Sequence, residues 1–159
     1  MITGSGAPGT KGTVYSLRKI NKMNLLIGVD KDNIISTSKI CDKFYKVPRI
    51  EDKNYLKHLL NIAKINNINI ILPQTTNENI YLSKNKNYFK RHSIEILSSN
   101  FDSIKIANDK YNTNKEIQKL GFKTPKIINI SSKDEVIENL KLFQYPAKQI
   151  VLKPRNSFG

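Results

Sequence analysis

Six residues near the start, Gly4-Ser5-Gly6-Ala7-Pro8-Gly9, place three glycines at G-x-G-x-x-G spacing. Glycines at that spacing permit a tight turn and the close approach of another backbone or a ligand. A helix opening directly after them offers free N–H groups and a positive dipole end to an anion. Asp30 stands where a dinucleotide-binding fold places the acid that takes the ribose hydroxyls. One reading is therefore an NAD(P)-binding module using the Gly4–Gly9 loop and Asp30. The competing reading is a tight strand-to-helix turn and nothing more. Pro8 supports it, because proline removes one of the donors a pyrophosphate would use. The loop is not a Walker A sequence, since Thr10 occupies the lysine position.

Three further groups could do chemistry. Thr75, Thr76 and Glu78 follow Pro73 at the end of an apolar run, where open α/β sheets place ligands. Gly4, Gly6, Gly9, Thr75, Thr76 and Glu78 thus form a candidate substrate or anion crevice, although helix capping explains Thr75 and Glu78 equally well. Lys110 opens a helix, and Lys153 closes an apolar run just before Pro154. Both are compact cations suited to phosphate. Lys153 is the less expected placement, a charge ending an apolar strand; for Lys110 an ordinary surface lysine is the competing reading. His58, His92 and Cys41 lack neighbours at metal-ligand or nucleophile spacing, so they read as ordinary side chains and an inert thiol. No metal site is expected.

These residues need an alternating frame to hold them. Met1–Thr3, Leu25–Val29, Phe44–Val47, Ile68–Leu72 and Ile94–Leu97 read as strands. Helices are expected over Thr10–Asn21 (stripe Val14, Leu17, Ile20), Asp52–Ile65 (Leu56, Leu59, Leu60, Ala63), from a Thr75/Glu78 capping box towards Arg91, and around Ser103–Ala107. Alternation of this kind predicts an α/β fold with a right-handed, doubly wound parallel sheet over residues 1–107. Residues 108–159 predict a second region. In it Asn108 caps a helix to Leu120, Gly121 takes a left-handed cap, and Ile127–Ile130 forms a strand. Ser132 and Glu135 box a helix striped by Val136, Leu140 and Phe143, and Ile150–Lys153 forms a last strand.

Composition limits the function classes. The net charge is +14, which raises nucleic-acid binding. However, Ile and Lys number 23 each and Asn 19, against four arginines. AT-rich codons encode all three abundant types. The lysines are also dispersed, without an Arg tract or aromatic platform, so nucleic-acid binding is disfavoured. A non-catalytic basic interaction protein remains a competing reading. A single cysteine and the lack of a membrane-spanning apolar run or signal peptide place the expectation in the cytoplasm.

Taken in order, Asn108-Asp109-Lys110, Gly121-Phe122-Lys123-Thr124-Pro125 and Lys153-Pro154 resemble the ATP-grasp superfamily, and within it the carbamoyl-phosphate-synthase-like branch. The stretches ITGSGAPG, GVD, KFYKVP and ILPQTTNE resemble the small Rossmann-like domain that precedes the grasp. The resemblance implies a pre-ATP-grasp domain (1–107) followed by the first part of an α+β ATP-grasp subdomain (108–159). It implies ATP-dependent joining of a small carboxylate substrate to an amine through an acyl phosphate. Lys110 and Lys153 would face the phosphates, and Gly159 would begin the loop closing over them. Mg²⁺ would be held by carboxylates absent from this chain. The expectation is an amino-terminal portion, inactive alone, working with the rest of the grasp domain or a partner subunit; a homodimer is left open.

Overall fold

A computed structural model describes residues 1–20, 25–33 and 38–156. The chain divides into two compact units, Met1–Ile104 and Lys105–Gly159.

The first unit is built on five parallel strands: β1 (Ile2–Thr3), β2 (Ile27–Asp30), β3 (Lys43–Lys46), β4 (Ile70–Pro73) and β5 (Glu95–Ile96). Their order is β3-β2-β1-β4-β5, so the direction of winding reverses at β1. Ile2 pairs with Gly28 on one side and Leu72 on the other. A parallel sheet needs cover on both faces, and two apolar clusters supply it. On one face Ile27, Val29, Ile71 and Ile96 pack with Tyr55, Leu59, Leu60 and Ala63 of helix α2 (Tyr55–Ile65). The same cluster takes in Leu82 of α3 (Thr76–Lys84) and Phe89 of α4 (Lys86–Lys90). On the other face Ile2, Leu26 and Cys41 meet Val14 and Leu17 of α1 (Thr10–Ile20). Strand alternation explains the assignment. Ile27 and Val29 turn to the first cluster, and Gly28 turns to the second, where a Cβ would come within 3.1 Å of Cys41 Sγ and Ser5 Oγ.

The parallel α/β architecture expected from the sequence is thus present. Two details of this unit differ. Ile20, last of the predicted α1 stripe, is 80% exposed, so burial on this helix stops one turn earlier. The helix expected from Thr75 to Arg91 is two helices. At Asn85 the side-chain amide donates to the Tyr81 carbonyl, and the backbone bond shortens to Leu82. A short polar side chain competing for helical carbonyls breaks the ladder there.

The second unit holds α6 (Lys110–Lys119), α7 (Lys133–Leu140) and a 3₁₀ turn (Lys141–Phe143), after α5 (Phe101–Ala107) leads into it. Gly121 adopts φ +83. Its N–H donates to Gln118, and that of Phe122 to Ile117, the paired bonds of a Schellman cap. Ser132 caps α7 by accepting from the Glu135 N–H at 3.1 Å. The cap of α6 is Asp109 and not Asn108; its carboxylate accepts from Tyr111 and Asn112 N–H. A carboxylate at a helix start also gains from the dipole, which the Asn108 amide does not. The strands expected at Ile127–Ile130 and Ile150–Lys153 are absent. Neither stretch forms a ladder among the described residues, and a strand exists only by pairing.

Candidate functional site

In the first unit the Gly4–Gly9 loop leaves β1 where the sheet reverses direction, the place where open α/β sheets form a crevice. Several of its amides are engaged within the chain. Ser5 N–H donates to Val29 O at 3.1 Å, Gly6 N–H to Asp30 Oδ2 at 2.7 Å, and Ala7 N–H to Gly4 O at 2.9 Å. Asp30 Oδ1 accepts from Asp32 N–H at 3.1 Å, so both oxygens of this buried carboxylate hold backbone. Asp30 is therefore a fastener for the loop. The ribose-acceptor role would require it to turn from Gly6, the amide that a pyrophosphate would also want.

Across β1 from this loop, Glu78 lies buried on α3. Tyr55 OH donates to its Oε1 at 2.6 Å, and Thr75 Oγ1 donates to its Oε2 at 2.8 Å. The Glu78 N–H donates back to Thr75 Oγ1 at 3.3 Å, the Thr75 half of the predicted capping box. Its carboxylate, however, is turned to the interior. The Thr3 hydroxyl is fully buried and tends to lower the pKa of both Tyr55 and Glu78. Burial pushes the Glu78 carboxyl above the ordinary glutamate range. The hydrogen bonds from Tyr55 and Thr75 oppose that rise, and the charge of Asp30 adds to it. Burial and the neighbouring Glu78 charge likewise push the Tyr55 phenol up. Gly4 rests against this group at φ +57; a Cβ there would fall 2.1 Å from Glu78 Oε2 and 2.6 Å from Thr75 Cγ2. On the crevice's other side Thr13 Oγ1 donates to Gln74 Oε1 at 2.9 Å, tying α1 to the end of β4.

Of the predicted crevice residues, the structure joins Gly4, Thr75 and Glu78, with Gly6 held through Asp30. Gly9 has open space around it. Thr76 is half-buried as the first residue of α3. Sequence reasoning missed Tyr55 and Thr3, whose partners are remote in sequence; the one local signal is a tyrosine opening the buried α2 stripe.

In the second unit Lys110 and Lys153 line a single open cavity of about 1040 Å³. Lys126 and Arg155 stand at the same cavity, whose apolar lining includes Ile117, Ile128, Leu140, Phe143 and Ile150. Val136, Leu140 and Phe143 all face it, as their spacing predicts. Gly159 lies outside the described residues. Sequence reasoning missed Lys126 and the pairing of Asp109 with Arg155, joined at 2.7 Å; the scarcity of arginine in this chain was the available signal. His58 and His92 are exposed, and Cys41 is a buried free thiol whose pKa burial raises. Among the described residues no group of three or more His, Cys, Asp or Glu could hold a metal ion, and no helix is long and apolar enough to cross a membrane.

A family model described as the PylC-like N-terminal domain matches residues 1–97 of the 159. No curated protein matches the chain.

Two outcomes follow from the buried carboxylate. Gly4→Ala adds a strained positive φ and a collision with Glu78, so it should cost about 2 kcal/mol or more in urea unfolding, whereas Gly9→Ala should stay within about 0.5 kcal/mol. Glu78 binds its proton more tightly in the folded state, because its folded pKa is raised. Its stability contribution is thus present at low pH and lost as pH climbs from the ordinary value of 4.5 through the raised one. The stability of wild type relative to Glu78→Gln should fall with pH across that window; a gap that widens with pH would refute the assignment.

Proposed function

Because the chain belongs to the PylC-like N-terminal domain family, the pre-ATP-grasp region of the ATP-grasp ligases, we propose that it forms the amino-terminal part of an ATP-dependent carboxylate–amine ligase. The Asn108-Asp109-Lys110, Gly121…Pro125 and Lys153-Pro154 series favours the carbamoyl-phosphate-synthase-like branch.

The carrying observation is that Lys110 and Lys153, distant in sequence, line one cavity together with Lys126 and Arg155. Clustered cations beside an apolar lining suit a nucleotide, with phosphates at the lysines and the base on the hydrocarbon surface. In phosphoryl transfer little covalent work falls to the protein; positioning and charge neutralisation do most of it. Lys153 and Lys110 would serve that purpose, holding the phosphates while the substrate carboxylate would attack the γ-phosphorus and ADP would leave, giving an acyl phosphate from which the amine would displace inorganic phosphate. Mg²⁺ would supply further neutralisation of phosphate charge and would need hard oxygen ligands. Among the described residues no such set of acidic ligands is present. The Gly4–Gly9 loop is proposed to bind the small carboxylate substrate, with Glu78 buried against Gly4 and holding the loop in place. A cytoplasmic setting accords with the single free thiol.

Calorimetric titration of the full chain tests the assignment. ATP is expected to bind and NAD not to bind, and Lys153→Ala should weaken ATP by on the order of tenfold or more. Binding of NAD in preference to ATP, or indifference of ATP to Lys153→Ala, would count against it.

A further inference from the structure

Arg155 is one of four arginines in a chain with 23 lysines, and it follows Lys153-Pro154 directly. Its Nε donates to Asp109 Oδ2 at 2.7 Å, and its guanidinium carbon lies 5.4 Å from the centre of the Tyr111 ring. Its carbonyl accepts the Lys110 N–H at 3.1 Å. Asp109 meanwhile caps α6: Oδ1 accepts from Tyr111 N–H at 3.1 Å and Asn112 N–H at 3.0 Å, and Oδ2 also takes the Asn112 side-chain amide at 3.0 Å. One carboxylate therefore joins the helix start that carries Lys110 to the segment that carries Lys153.

Residues 150–154 form no ladder among those described, and Val151 and Leu152 are largely exposed. An ion pair with 42% exposure on the arginine adds little to global stability. Its consequence is geometric. A side-chain pair with Asp109, a ring contact with Tyr111 and a backbone bond from Lys110 converge on Arg155 and set where Lys153 sits relative to Lys110.

We propose that Asp109 and Arg155 form a clasp that sets the spacing of the two phosphate-facing lysines, acting as positioning residues and not as ligands. The proposal rests on the nucleotide reading above for its functional consequence, while the clasp itself is a property of the unliganded protein. The simplest rival gives Arg155 a direct phosphate contact, for which its guanidinium must leave Asp109.

The test uses the full chain and the variants Asp109→Asn, Arg155→Gln and the double. Asparagine keeps a helix-capping oxygen while removing the charge, so α6 should survive, and circular dichroism checks that it does. Amide hydrogen exchange in the absence of nucleotide is read at Lys110 and over 150–155. Each single variant should speed exchange there, and the double should be no faster than the faster single. Titration with magnesium ATP should then show both singles weakened by on the order of tenfold and the double weakened no further, the mark of one shared interaction. Unchanged exchange in the singles would overturn the clasp. So would Asp109→Asn leaving ATP binding intact or tighter while Arg155→Gln abolishes it, since that pattern makes Arg155 a ligand. If wild type fails to bind ATP, the nucleotide reading fails, and the exchange result still decides the clasp.

Discussion

The first unit is organised around a carboxylate that has been taken out of water. Glu78 can be buried only because Tyr55 and Thr75 each give it a hydrogen bond. Those two donors come from α2 and from the cap of α3, so satisfying the charge also fixes both helices against the central strands. Gly4 then passes directly over the carboxylate with no room for a side chain. The loop between β1 and α1 is held on its far side by Asp30 through Gly6. Two acids thus fix one glycine turn at the point where the sheet reverses.

The second unit follows a different logic. Its helices are well terminated, by Asp109, by the Gly121 cap and by Ser132, yet neither α6 nor α7 contains a buried residue. Its apolar side chains surround an open cavity instead of filling a closed core. Local signals stabilise the helices, and a few polar contacts, foremost Asp109 with Arg155, set how the segments meet. That division suits a surface that holds a charged ligand between cations and hydrocarbon.

Legibility in the sequence followed the range of the interaction. The strands of the first unit are short apolar runs, and Val14, Leu59 and Leu60 are periodic helix positions, both readable within one element. Caps at Thr75, Ser132 and Gly121 are local too, and they appear where their spacing places them. Glu78 shows where that reading stops. Its capping role spans three residues and is visible, but its burial depends on Tyr55, which only the fold brings near. Ile127–Ile130 and Ile150–Lys153 have strand-like composition and no ladder, because propensity does not supply a neighbour. Asn108 and Asp109 are adjacent capping residues that composition does not separate; the ion pair to Arg155 does.

We propose that the second unit, and not the glycine loop, receives the nucleotide. Amide chemical-shift mapping of the full chain with magnesium ATP tests this most directly. The account predicts that the perturbed amides fall at 110–114, 126–130 and 150–155, with Gly4–Thr10 unmoved. Perturbations centred on Gly4–Thr10 and Asp30 would contradict it and return the loop to a dinucleotide role.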